Sequence, residues 1–276
     1  MKKIGSFLLT LFFLLATVSP GFGAWSHTIG HVNLNFDKTS SNSIGVLWTD
    51  TLGDDPVMFL CVASNNISAT DGATNTHTSI TDPRGNTWNK AIEFTNSQGS
   101  AGNGAAVSLW YSKLDTFYEV GDVVTANFSD NVAAKAIVIF EANASVSPTV
   151  TAPNTTSRQD DGADPGSLDL TTLNEEHLWV RCIAHEGPED ATTYSKTAAY
   201  DRTLCCAGTT GAGAASNMAV TGEFDIFTGT SNPSDPTWSG SRDNASVLGA
   251  FKEVAGAADT VPCTNMNLLG VGGGCV

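Results

Sequence analysis

No part of this sequence constrains the fold more than Ser79 to Leu114, SITDPRGNTWNKAIEFTNSQGSAGNGAAVSLWYSKL. It reads as strand end, turn, strand, glycine-rich loop, strand. Asp82-Pro83-Arg84-Gly85-Asn86 is turn chemistry: proline presets φ, glycine permits positive φ, and Asn and Asp side chains hydrogen-bond nearby backbone. Ala105 to Lys113 then alternates with period two. That places Ala105, Val107, Leu109 and Tyr111 on one face of a strand and Ser108, Trp110 and Ser112 on the other.

The same grammar runs through the rest of the chain. His31 to Phe36 alternates, with Val32, Leu34 and Phe36 on one side, and Ile44 to Thr49 is a second short run. Val57 to Ala63 is almost wholly apolar and too short for a helix, so it predicts a strand buried on both faces. Val123 to Phe128 and Ala134 to Phe140 follow. In the latter, Ala136, Val138 and Phe140 oppose Ile137 and Ile139, the pattern of a central strand in a covered sheet. Ser64 to Thr78 reads as a surface loop and Ala144 to Pro165 as a crossover loop. His177 to His185 repeats the character of Val57 to Ala63. Tyr194 to Leu204 is a strand candidate. Met218 to Phe227 sets Met218, Val220, Phe224 and Ile226 against Thr221, Glu223 and Asp225, a polar face expected to meet water. Ala245 to Val254 is a closing strand. Roughly ten to eleven strands at spacings of about 8–12 residues predict an all-β protein. The expected form is a two-sheet antiparallel β-sandwich, jelly-roll-like. Each half alone is expected to have too few strands to close a sandwich, so residues 25–256 are read as one domain with a long crossing connection.

Lys2 and Lys3, the apolar run Ile4 to Val18, and the small residues Gly23 and Ala24 form the layout of a secretory signal peptide over 1–24. Its removal takes the formal charge from −15 to −17. So acidic a chain repels phosphate and anionic lipid, which argues against nucleic-acid partners and membrane docking. Nothing after the signal is long and apolar enough for membrane insertion as a helix. The cysteines are Cys61, Cys182, Cys205, Cys206, Cys263 and Cys275. In an exported chain an even number favours disulfides, with too many pairings for the sequence to choose among. Cys61 and Cys182 also read as buried small hydrophobes. Residues 257–276 read as a Gly- and Cys-containing tail, with Cys263 and Cys275 as a candidate bridge.

Thr81-Asp82-x-x-Gly85-Asn86-Thr87-Trp88, then Leu109-Trp110-Tyr111, then Gly121-Asp122-Val123-Val124-Thr125-Ala126-Asn127-Phe128-Ser129 resemble a recurrent module of secreted bacterial proteins. The likeness spans about Asp55 to Val254. Such modules look like jelly-roll β-sandwiches of exported multidomain or surface proteins. The resemblance implies no defined activity and carries over no catalytic residues. Pro83, where a serine is common in the module, and the extra cysteines depart from its pattern.

Several residues could carry chemistry. Trp88, Trp110 and Trp238, if exposed, would form an aromatic platform for sugar; the alternative is that each plugs the sandwich. Asp160-Asp161-Gly162-Ala163-Asp164 offers Asp160, Asp161 and Asp164 as oxygen ligands for Ca²⁺, or a solvated acidic loop. Glu223 and Asp225, i and i+2 on one strand face, and Glu141 are candidate carboxylates for glycan cleavage. His185-Glu186, followed by Glu189-Asp190, reads as a solvated hairpin turn, with a general base pair as the alternative. No nucleophile elbow or zinc motif is present in the sequence. The expectation is a non-enzymatic module, secreted or on the cell surface, for adhesion, glycan binding or extracellular assembly. Its partners would be extracellular polysaccharide or copies of itself. A secreted glycan-cleaving hydrolase and a structural protein of a virus particle are the alternatives.

Overall fold

The computed structural model describes residues 25–52, 56–144, 148–150, 154–160, 165–186, 194–203, 207–208, 217–238 and 243–255. The described chain is all-β, with no helix among the described residues and with its ladders antiparallel.

Eight strands come first: β1 (Trp25–Asp37), β2 (Ser41–Leu47), β3 (Pro56–Asn65), β4 (His77–Thr81), β5 (Asn89–Asn96), β6 (Ala105–Lys113), β7 (Val123–Val132) and β8 (Lys135–Ala144). They form a five-stranded sheet, β1-β8-β3-β6-β5, and a three-stranded sheet, β2-β7-β4. Strand β3 is buried along its whole length, because each of its faces has a cover. Met58, Leu60 and Val62 meet Ile44, Val46, Ile80, Val124 and Ala126 of the three-stranded sheet. Phe59, Cys61 and Ala63 point the other way. Strand β8 divides identically: Ile137 and Ile139 go to one core, Ala136, Val138 and Phe140 to the other.

The other cover comes from the second half: β9 (Pro148–Val150), β10 (Asn154–Asp160), β11 (Glu175–Glu186), β12 (Tyr194–Ser195), β13 (Arg202–Thr203), β14 (Ala207–Gly208), β15 (Met218–Gly229), β16 (Thr237–Trp238), β17 (Asn244–Phe251) and β18 (Glu253–Ala255). A sheet ordered β10-β17-β11-β15-β13, with β14 also on β15, packs on the far face of the five-stranded sheet. Phe59 and Phe140 stack at 5.2 Å between centroids, and Phe140 stacks on Phe224 at 5.9 Å. Phe251 meets Phe59 edge-on at 4.8 Å. Each such fully buried ring contributes about 2–3 kcal/mol of transfer free energy. Cys61 and Cys182 form a disulfide across this core, tying β3 to β11 over a separation of 121 residues. Trp25 closes one end: its indole donates to Phe251 O and its amide to Glu176 Oε1.

Three expectations are corrected. The first half does not need the second to make two layers, because β1–β8 supply both the five- and three-stranded sheets around a core of their own. The span 144–165 is not only loop; it carries β9 and the sheet-edge strand β10. Tyr194 to Leu204 is not one strand, because a turn at 198–201 separates β12 from β13. Cys205, Cys206, Cys263 and Cys275 lie outside the described residues, as does the tail 257–276.

Candidate functional site

Strand β15 carries the paired carboxylates, and its polar face does not meet water. Thr221, Glu223 and Asp225 are all buried. Glu223 accepts hydrogen bonds from Thr197 N (2.7 Å), Thr197 Oγ1 (2.6 Å), Tyr194 OH (3.4 Å) and Ser234 Oγ. Its cross-strand neighbour Arg181, on β11, is fully buried. The guanidinium donates to Ser234 O and Oγ, Pro165 O and Ser246 Oγ, at 2.8–3.1 Å. Burial lowers the Arg181 pKa below its ordinary value, opposed by Tyr194 and Glu223. Asp225 accepts from Asn232 Nδ2 at 2.8 Å, and burial raises its pKa. Three loop segments therefore sit on this face, each held by a charged residue of the sheet. Hydrogen bonds to most of their polar atoms are what let such groups be buried, although Arg181 Nε and Thr221 Oγ1 find no partner among the described residues. Glu141 is likewise fully buried, on β8 opposite Met58.

His185 and Glu186 are buried as well, which corrects the reading of a solvated turn. Glu186 accepts from Gly104 N at 2.8 Å. Gly104 has φ +145°, and a Cβ there would lie 2.1 Å from Asn96 O, so no larger residue allows this approach. Glu189 and Asp190 lie outside the described residues.

Sequence reasoning missed one constellation. His77, at the start of β4, places Nε2 2.9 Å from Ser64 Oγ and Nδ1 2.6 Å from Ser108 Oγ. Trp110 Nε1 also donates to Ser108 Oγ. Glu93 accepts from the His77 and Thr76 amides and the Thr76 hydroxyl, and pairs with Lys90. Ser64, His77 and Ser108 are fully buried, so this hydroxyl–imidazole set faces other side chains and not solvent. Burial holds the His77 pKa down at about 4, so its ring is neutral near pH 7. The available signal was Ser64, which interrupts the apolar face of Met58, Leu60 and Val62.

Of the tryptophans whose rings are described, Trp110 is not part of an open platform. Trp110 is only 4% exposed, packed in the second core beneath Lys90, whose ammonium lies 5.0 Å from the ring centroid. Its face of β6 looked open in the sequence because the three-stranded sheet covering it comes from distant strands. Trp88 is partly buried against the same core and donates to Asp82 Oδ2 at 3.1 Å. The Trp238 backbone pairs with Tyr194, and its ring falls outside the described residues. Of the calcium candidates, Asp160 closes β10, while Asp161 and Asp164 lie outside the described residues. Among the described residues no three His, Cys, Asp or Glu side chains converge as a metal site.

The turn at 82–88 explains its own motif. Asp82 accepts from Arg84 N, Asn86 N, Asn86 Nδ2 and Trp88 Nε1. Asn86 Oδ1 accepts from the Asp115 and Thr116 amides. Arg84 pairs with Asp122 at 2.6 Å and with Glu119 at 3.0 Å. Each of these residues fastens one loop to another. Beside the turn lies an open groove of about 440 Å³, lined by Thr81, Asp82, Pro83, Gly121, Asp122, Val123 and Thr125.

A further open feature is an edge. Among the described residues β1 pairs on one side only, with β8. Val32, Leu34 and Phe36 are exposed along it. Comparison with family models, with curated proteins and with solved structures returned no match.

Proposed function

We propose that this chain is a secreted or cell-surface, non-enzymatic β-sandwich module whose work is extracellular assembly with copies of itself, in a layer or filament. The observation that carries the reading is the long β1 edge, with three apolar side chains beside an unpaired strand border. Such borders pair with other strands unless they are blocked. The Cys61–Cys182 bridge supports an oxidising compartment, in keeping with the signal-like N-terminus. The nested pairings β1·β8, β2·β7 and β3·β6 support a jelly-roll winding of the first eight strands. The burial of Glu223, Asp225 and Glu141 weighs against the glycan-cleaving alternative, which needs two carboxyls open to one cleft.

Binding of an extracellular polysaccharide is the second reading. The groove beside Asp82 and Thr125 favours it, with its hydroxyl and carboxylate lining. Sedimentation velocity of the exported chain over a concentration series, with electron microscopy of the same samples, tests the first reading. Concentration-dependent association is expected; a monomer throughout rejects it. Calorimetric titration with soluble polysaccharides tests the second, with Thr125→Ala expected to weaken any binding seen.

A further inference from the structure

The five-stranded sheet has two borders, and they are treated differently. The β5 border carries Lys90 and Glu93, has a register irregularity between Lys90 and Ile92, and is overlaid by the loop before β4. Gly72 N donates to Thr95 O, Thr95 Oγ1 to Ala73 O, and Thr76 N to Glu93. Charge, bulge and covering loop are the usual protections of a sheet edge. Among the described residues the β1 border has none of them from Val32 to Phe36; its register irregularities lie before Val32, and its nearest charge is Asp37. From Val32 to Asp37 its register with β8 is unbroken, and Val32-Asn33-Leu34-Asn35-Phe36 contains no charge and no proline. Val32, Leu34 and Phe36 are 41%, 43% and 46% exposed. On the other face Asn35 Nδ2 donates to Gly45 O, and Thr49 Oγ1 donates to Asn33 Oδ1, so both asparagines are held by the chain itself.

We infer that β1 is the seam of a two-fold dimer, pairing antiparallel with β1 of a second copy and with Leu34 on the axis. The inference rests on the assembly reading above and names its contact. In this register Leu34 faces Leu34, and Val32 faces Phe36 in both directions. One apolar row thus runs across ten strands of a shared sheet. The flanks place His31, which lies 3.4 Å from Asp50, opposite Asp37 of the second copy, which pairs with Lys135 at 3.3 Å, so the ends of the neutral stretch bring no like charges together. A two-fold axis makes such a patch self-complementary, which is why a second copy fits it and a chain of different sequence does not do so automatically. Over Val32 to Phe36 the pairing sets no like charges opposite each other, which matters in a chain this acidic.

The test uses the full exported chain and three cysteine variants. Directly opposite residues in an antiparallel pair have Cα atoms about 4.5–5.5 Å apart, within disulfide reach. Leu34→Cys should therefore cross-link to itself under oxidation, above the background of the unaltered chain on a non-reducing gel. Val32→Cys alone should not, but Val32→Cys mixed with Phe36→Cys should. Leu34→Lys sets two ammonium groups against each other and should weaken dimerisation at least tenfold while leaving the melting temperature of the monomer nearly unchanged. Hydrogen exchange of the Val32–Phe36 amides in the unaltered chain should slow with rising concentration, a readout that needs no substitution. Association that Leu34→Lys leaves intact, or cross-linking equally strong through Val32→Cys alone, overturns the seam while the assembly reading stands. A monomer at every concentration overturns both. Loss of association and of amide protection on deleting residues 257–276 would make that segment the occupant and also overturn the seam.

Discussion

The two central layers of the molecule are covered in different ways. Over β3 and β8 lies a sheet, β2-β7-β4, whose inward side chains are Ile44, Val46, Ile80, Val124 and Ala126. Over β11 and β15 lie loops, which reach down to Arg181, Glu223 and Asp225 through Pro165, Thr197, Asn232 and Ser234. Among the described residues two small apolar clusters assist them, Leu168, Trp179, Tyr200, Leu248 and Ala250, and Ile183 with Tyr194. A sheet satisfies its own backbone and can present an apolar face. A loop cannot, so a loop that covers a sheet brings polar groups with it, and the sheet must supply partners. Buried charges on β11 and β15 are the consequence of a loop cover, just as apolar alternation on β3 is of a sheet cover.

The largest effect should come from the bond shared by both arrangements. Replacing Cys61 and Cys182 by alanine should cost about 5 kcal/mol in guanidinium unfolding, given the length of chain the bridge closes. Because the bridge crosses the core between the five-stranded sheet and β11, both covers should loosen together in hydrogen exchange. Loosening of only one would break the picture of a common middle.

Glu223→Leu should cost about 3 kcal/mol, since it leaves Arg181 buried without its counter-charge and frees Thr197 N and Tyr194 OH. The comparison sharpens if exchange then rises in 194–200 and 230–236 while β2, β4 and β7 stay protected. Equal loosening of the three-stranded sheet would contradict it.

His77 probes the sheet-covered side by pH. Its folded pKa is about 4 against an ordinary 6.5, because burial disfavours the charged ring. The unfolded chain therefore takes up the proton first. Stability is full above about pH 6.5 and falls as pH drops toward 4, by roughly 2–3 kcal/mol from this residue. His77→Gln should flatten that part of the pH profile in urea unfolding; an unchanged slope between pH 6.5 and 4 would place the ring in contact with water.

The smallest expected effect is at the margin. Asp82→Ala removes an acceptor serving four donors of an exposed turn and should cost about 1–2 kcal/mol. It should leave the core fluorescence of Trp110 unchanged while shifting that of Trp88.

Much of the strand content was legible. The alternations of β3, β6 and β8 specify which residues share a face, and the structure keeps those faces. Glu223 and Asp225 were misread because a polar alternation looks the same whether water or a hydrogen-bonding loop lies over it. For Trp110 the sequence left platform and plug both open; the structure buries it, and its face-mates are engaged, Ser108 with His77 and Ser112 with Thr87 O.

By itself the sequence determined the strands, their two-sided or one-sided apolar character and the turn at Asp82. Those follow from period-two geometry and local backbone chemistry, which need only neighbours in the chain. The tertiary structure alone decided that Cys61 meets Cys182, that the first half closes two layers without help, that three loops cover the second, and that among the described residues β1 pairs on one side only. Each of these depends on segments far apart in the chain meeting in space, and no local periodicity encodes which of them will meet.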